Sequence, residues 1–360
     1  MKISEELEKR NLPEILKFDS GTPLRAKNDW NLRREQIEEN LVNNLWGRKP
    51  DWQEEVSYTV LEESLIYDDK ALKARIELEV DTESGAFAFP FDLYIPMREE
   101  SVAAFIHIAF NREDGIEDDI TEYLIKEGFA YATFYYRDII DDLYHGKENG
   151  IGMLPQAFHE QSWGKVRMWA WGASRIMDYL ETLVQIDSSR VAVVGHSRLG
   201  KAALCAGALD QRFSLTITNN SGGGGIALMR GKRGEKVKHL GKDGSKAWLC
   251  EHYNSYAGKE EELPFDHHFA GALVAPRNLY VASATEDKWA DPLSEFLSAA
   301  AASDAYRILG LEGLKCPDEI EFEPMVLHGG KIGFHLRDGK HYMGRYDWEQ
   351  FVSYRKKHRC

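Results

Sequence analysis

Fourteen residues at positions 191–204, VAVVGHSRLGKAAL, compress a buried strand, a tight turn and the start of a helix into one segment. The Val and Ala residues leading to Gly195 read as a parallel strand buried on both faces, and residues 199–208 are strong helix formers. Ser197 falls at the junction. Gly195 and Gly200 carry no β-carbon, so the turn can tighten and neighbouring elements can approach closely. Amides at a helix start face developing negative charge, so a serine held there is placed as a nucleophile. The competing reading is an N-cap serine that satisfies free helix amides and does nothing more.

With 360 residues and 43% hydrophobic content, the chain can fill a complete core. No Pro/Gly/Ser-rich linker, repeat or low-complexity segment divides it, and the glycine run 222–225 is too short to be a linker. The expectation is a single catalytic domain, residues 56–360, with an N-terminal helical arm, residues 1–55, packed on it. A net charge of −14 argues against nucleic acid as a partner, and the basic stretch 230–238 reads as a solvated loop. No apolar run is long enough to span a bilayer, so no membrane partner is expected. The opening MKISEELEKRNLPEIL is charged and lacks the apolar core and cleavage site of a secretory signal, which gives a cytoplasmic expectation, or a secreted one if a leader has been removed. Cys205, Cys250, Cys316 and Cys360 have no metal-ligand spacing, so reduced thiols are expected, with no metal and no cofactor. Nothing in the pattern sets an oligomeric state.

Residues 31–46 place Leu32, Ile37, Leu41 and Leu45 on one helical face. Residues 56–96 alternate as antiparallel edge strands. Strands and helices then alternate: strands at 102–110, 130–136, 215–219, 278–284 and 331–337, with helices at 116–127 and 163–184. Such alternation gives an α/β fold with a mostly parallel central sheet covered by helices on both faces, and the α/β-hydrolase fold fits it best. The aperiodic, glycine-rich and aromatic segment 221–270 follows the strand after the serine turn. Loops at the carboxyl ends of parallel strands surround the site, so this insertion is expected to form part of a substrate rim.

A serine hydroxyl needs a base, and the base needs a carboxylate to fix its tautomer. In this fold the chain order is Ser, acid, His, with the histidine after the last strand. His341 lies four residues beyond the strand 331–337 and before a closing helix. His335 sits inside that strand, His328 precedes it, and His267 and His268 come before the strand 278–284; each reads as structural. For the acid, the segment after the strand 278–284 offers Glu286, Asp287 and Asp291. Asp287 is preferred: it is three residues past the strand end, whereas Asp291 looks like a helix N-cap and Glu286 points to the other side of the turn. Arg198, next to the nucleophile, can offer its backbone N–H and its charge to an oxyanion, with a second donor expected near Phe110 and Asn111.

The run Gly195, His196, Ser197, Arg198, Leu199, Gly200, Lys201 resembles the G-C-S-R-x-G-K elbow of the glucuronoyl esterases, carbohydrate esterase family 15, with histidine in place of cysteine. The resemblance extends through WAWGASRIMDYLET, AGALDQRF, FDHHFAGALVAPR and TEDKWADP. It implies a metal-independent serine esterase acting on a small carbohydrate ester, most of all a glucuronoyl ester of xylan side chains or fragments. It assigns Arg198 to the oxyanion hole, Lys201 to sugar hydroxyls and Trp289 to a flat wall against the sugar. The fungal pattern Q-E-S-G-x-G-G corresponds to Asn219 to Gly225, which puts Asn220 where the fungal acid stands; Asn cannot ionise. That departure implies a bacterial-type branch with its acid moved along the sheet. It also leaves open a catalytically silent carbohydrate-binding relative, while an acetyl xylan or oligosaccharide esterase remains the alternative within the enzyme class.

Overall fold

The computed structural model describes residues 1–111, 115–142, 149–155, 157, 162–240 and 248–360, with backbone alone at 115–118. Its described strands are β1 (Glu55–Ile66), β2 (Ala71–Thr82), β3 (Gly85–Pro96), β4 (Val102–Ala109), β5 (Ala130–Tyr135), β6 (Ile186–His196), β7 (Leu215–Asn219), β8 (Asn278–Ala284), β9 (Met325–Leu327) and β10 (Ile332–Arg337). They form one sheet in the order β1-β2-β3-β5-β4-β6-β7-β8-β10-β9. From β5 to β10 neighbouring strands are parallel, while the β1-β2-β3 meander and the short β9 are antiparallel additions at the two edges. This is the α/β-hydrolase architecture.

The burial pattern follows from this arrangement. In β2, Ala74, Ile76, Leu78 and Val80 are buried while Glu77, Glu79 and Asp81 are exposed, as a sheet covered on one face requires. Every residue of β4, β7 and β8 is buried, because helices cover both faces there. The two-residue side-chain period then divides each central strand between two cores. Ala104, Ile106, Val191, Val193, Leu279 and Val281 join one core with the helices Lys165–Leu180, Arg198–Leu209 and Pro292–Ile308. Phe105, Ala192, Val194, Leu215, Ile217 and Tyr280 join the other, with Ile120, Leu124, Trp348 and Phe351 from the helices Gly115–Glu127 and Arg345–His358. Ile3, Ile15, Trp30, Trp46 and Trp52 from the first 55 residues belong to the first core.

Several boundaries differ from expectation. The helix expected over 31–46 is Asp29–Leu41 followed by a π-helical turn, Val42–Trp46. Ile37, Leu41 and Leu45 are buried, but Leu32 is 55% exposed, because five residues before Ile37 rotates it well off the buried face. The helix expected over 163–184 is limited to Lys165–Leu180, and β5 ends at Tyr135, where a short helix begins. The basic stretch is not a solvated charge run throughout: Arg230 and Lys232 are buried. Arg230 donates to the carbonyls of Glu261, Leu263 and Phe265, and Lys232 donates to Ala290, so both cations tie the insertion to its surroundings. Arg10 closes the same region from the arm, donating to Arg230 O at 2.7 Å and Ser294 Oγ at 2.9 Å. Among the described residues no helix is long and apolar enough to cross a membrane, and the four cysteines are free.

Three fully enclosed histidines set the acid stability of this fold. Burial lowers His107 from 6.5 to about 3, and His267 and His268 to about 4. Unfolded, these rings take up protons near pH 6.5, so between pH 6.5 and 4 the unfolded chain binds more protons and stability falls with pH. Burial raises the Glu295 and Asp178 carboxyls, which act in the opposite sense, but they are outnumbered by the histidines, since burial also lowers His196 and His328 to about 4. Stability to urea should therefore be full above pH 7 and drop by about 1 kcal/mol or more per pH unit below 6.5. A flat unfolding free energy from pH 7 to 4.5 would contradict this account.

Candidate active site

The chain runs from β4 to β5 on one side and places β6 on the other, so the carboxyl ends of β4 and β6 form the switch point where open α/β sheets bind ligands. Ser197 stands there, one residue beyond β6. Its backbone has φ 56° and ψ −126°, a left-handed region that costs a non-glycine residue about 1–3 kcal/mol. Its N–H donates to Asn219 O at 2.8 Å. The two glycines make the reversal sterically feasible. A β-carbon on Gly195 would lie 2.2 Å from Leu199 O, and one on Gly200 would lie 2.9 Å from Asn219 O and 3.1 Å from Gly195 O. The helix Arg198–Leu209 starts immediately, and its first amides have no carbonyl behind them within the helix.

Loops after two other parallel strands complete the site. His341, four residues past β10, sets Nε2 2.8 Å from Ser197 Oγ and Nδ1 2.6 Å from Asp287 Oδ2. Asp287, three residues past β8, is 5% exposed. Burial raises its pKa, but hydrogen bonds from His341, the Ala290 N–H and Asn220 outweigh this and hold the carboxyl below its ordinary value. Of the three carboxylates in this turn, Glu286 faces solvent and Asp291 caps the helix Pro292–Ile308 through Ser294. Only Asp287 meets the histidine. Asn220 donates through Nδ2 to Asp287 Oδ2 at 2.7 Å, and among the described residues no donor reaches its buried Oδ1. The residue that stands in place of a carboxylate thus supports the carboxylate next door.

The reactive line opens into a cavity of about 180 Å³. Trp289, 52% exposed, stands at its rim with the His239 ring 4.9 Å away. Lys201 also lines it, but not as a free sugar ligand. Its side chain is 3% exposed, and Nζ donates to Ser221 O at 2.6 Å, to Glu235 Oε2 at 2.9 Å and to Gly223 O, which uses all three N–H directions. Arg198 lines the cavity with its guanidinium paired to Asp142 and 4.7 Å from the centre of the Trp248 ring. Its charge is therefore shared rather than free. Phe110 packs against His196, while residues 112–114, beyond Asn111, lie outside the described residues, so the expected second donor is not located.

Glu235 and Trp248 were not singled out from the sequence. One signal did exist: the helix around Lys201 is apolar on all sides, so a lysine there must be buried, and a buried ammonium requires a partner. Among the described residues no group of three His, Cys, Asp or Glu side chains could hold a metal ion.

A parallel sheet with a strained serine, a histidine and a buried aspartate at its carboxyl edge defines a serine hydrolase of the α/β-hydrolase class. A family model described as fungal glucuronyl esterase matches residues 78–310. The carbohydrate esterase MZ0003 of an unknown prokaryotic organism is 34% identical, with 98% of this chain and 90% of the relative covered. The 4-O-methyl-glucuronoyl methylesterase 1 of Wolfiporia cocos is 30% identical over 83% of this chain and 72% of its own length. Among solved structures, a promiscuous CE15 esterase from a marine bacterial metagenome has a TM-score of 0.87 at 33% identity and covers 97% of both chains. The glucuronoyl esterase from Solibacter usitatus has a TM-score of 0.86 at 32% identity, covering 96% of this chain and 97% of its own. The chain belongs to the glucuronoyl esterases, carbohydrate esterase family 15.

The elbow geometry makes a direct prediction. Gly195→Ala forces the Leu199 carbonyl away and should cost about 2–3 kcal/mol of unfolding free energy together with most of the esterase rate. Chemical denaturation and an activated-ester assay would measure both; a variant close to wild type in each would show that the turn relaxes freely.

Proposed function

We propose that this chain is a serine esterase that hydrolyses the ester between a glucuronic acid carboxyl and an alcohol, in xylan side chains or their fragments. The observation that carries this reading is the continuous line from Ser197 through His341 to Asp287, opening on a cavity walled by an exposed tryptophan. His341 Nε2 takes the Ser197 proton as Oγ attacks the ester carbonyl. Asp287, held ionised, keeps the proton on Nδ1 and stabilises the imidazolium. The oxyanion is met by amides opening the helix Arg198–Leu209, with the Arg198 guanidinium nearby. His341 then protonates the leaving alcohol, and water activated by the same ring releases the sugar acid.

The flat indole of Trp289 suits the apolar face of a pyranose, and the Lys201–Glu235 pair with Asn220 gives the opposite side polar character. We read residues 221–270 as the rim of the substrate site, since Ser221, Gly222, Glu235 and Trp248 all reach the cavity. The silent, sugar-binding alternative loses its motive, because the absence of a carboxylate at Asn220 leaves His341 with Asp287.

The test is hydrolysis of a methyl glucuronate ester beside an acetylated xylo-oligosaccharide. Ser197→Ala should abolish turnover, and Asp287→Asn should lower kcat by about 10³–10⁴-fold with the protein still folded. Activity on the acetyl ester alone would overturn the glucuronoyl assignment, and equal inactivity of wild type and Ser197→Ala with retained sugar binding would overturn the enzyme reading. Trp289→Ala should raise KM for the uronate ester by about 5–10-fold with little change in kcat, as expected when roughly 1 kcal/mol of stacking is removed from ground and transition states alike. An unchanged KM would remove Trp289 from the sugar site.

A further inference from the structure

His341 is not fixed by packing: its side chain is 40% exposed, and residues 338–344 form no regular element. What holds them is a buried arginine. Arg337, the last residue of β10, is 4% exposed and uses four of its five N–H groups around this loop. Nε reaches both oxygens of Asp347 at 3.1 Å, Nη1 donates to Asp338 O at 3.0 Å, and Nη2 donates to Lys340 O at 3.1 Å and to Tyr342 O. The Lys340 carbonyl belongs to the peptide bond that enters His341. The Tyr342 ring centre lies 3.7 Å from the guanidinium and covers it.

Asp347 extends the arrangement to the imidazole itself. Fully buried, it accepts from His335 Nε2 at 2.9 Å, Gly344 N at 2.9 Å and Asn219 Nδ2 at 3.0 Å. Because that amide donates to Asp347, its Oδ1 is the acceptor for His196 Nδ1–H at 2.6 Å. The His196 ring in turn lies 4.5 Å, centre to centre, from the His341 ring. One carboxylate therefore anchors two arms that converge on the same base: the backbone arm through Arg337, and the ring arm through Asn219 and His196.

We propose that Arg337 and Asp347 form a buried clamp that positions His341 for proton transfer from Ser197, with Arg337 a positioning residue acting through the loop carbonyls. The inference rests on the proposed Ser197–His341 chemistry. A misplacement of the base by about 1 Å is enough to cost about 100-fold in rate. Lysine cannot replace the fork, because an ammonium at that depth cannot serve Asp347 and three diverging carbonyls together. A purely structural role, with Asp347 only opening the helix Arg345–His358, would instead lower stability and leave the folded enzyme's chemistry intact.

Two variants separate these cases, Arg337→Lys and His196→Phe, the second keeping a ring beside His341 but losing the donor to Asn219. Each is assayed for kcat and KM on a methyl glucuronate ester, for the rate of Ser197 labelling by a fluorophosphonate, and for thermal unfolding. In Arg337→Lys, kcat and labelling rate should fall together by about 10–100-fold, with KM within about twofold, in protein folded at the assay temperature. His196→Phe should show a smaller loss in the same two quantities. Folded variants with unchanged kcat and labelling rate, or a loss confined to KM, would overturn the clamp. If Arg337→Lys does not fold, His196→Phe decides alone, and unchanged kcat and labelling there overturn it. A wild-type enzyme that neither hydrolyses the ester nor labels at Ser197 would instead defeat the proposed function.

Discussion

The reversal of the chain at Ser197 is the constraint that the rest of the molecule serves. A strand buried on both faces must end and a helix must begin within two residues, and that forces one backbone into the left-handed region. Gly195 and Gly200 make it sterically possible, because carbonyl oxygens occupy the space where their side chains would be. The strain is small beside the two cores that hold β6 in place. Its effect is to lift one hydroxyl clear of the sheet and to turn a row of unpaired amides toward the same point. Because β8 and β10 run parallel to β6, their following loops arrive at that edge too, and the acid and the base come to the nucleophile without any long excursion of chain.

Behind this edge the structure uses buried polar groups as spacers. Lys201 joins the elbow helix to Ser221, Gly223 and Glu235, so the glycine-rich turn after β7 is shaped by an ammonium. Asn220 braces Asp287, Arg230 and Lys232 gather carbonyls of the insertion and its neighbours, and Arg337 gathers those around His341. Each of these groups would be costly if unpaired, and the lysines and arginines among them are satisfied largely by backbone oxygens. Segments without helix or strand thereby acquire one conformation.

The mostly parallel sheet and its antiparallel edge strands could be read from the sequence because strands and helices alternate and side chains repeat with a period of two, and the same topology brought Ser197, Asp287 and His341 forward as candidates at strand ends. Even the choice among Glu286, Asp287 and Asp291 followed from distance past a strand end and from the capping pattern before Pro292. What could not be read was pairing across long separations. Asp142 beside Arg198 and Glu235 beside Lys201 leave no local periodicity, and the burial of Arg230 and Lys232 is decided by carbonyls some 30 to 60 positions away. Leu32 failed for a simpler reason: a spacing of five resembles helical phase only when counted loosely.

The way the cavity's cations are paired bears on what happens after the ester is cut. An ester enters as a neutral acyl group, but it leaves as a carboxylate. Arg198 is matched by Asp142 and Lys201 by Glu235, while the Asp287 carboxylate is paired with His341. The newly formed anion therefore meets a guanidinium and an ammonium that each already hold a carboxylate, so neither offers a free charge to retain the acid once the ester is cut.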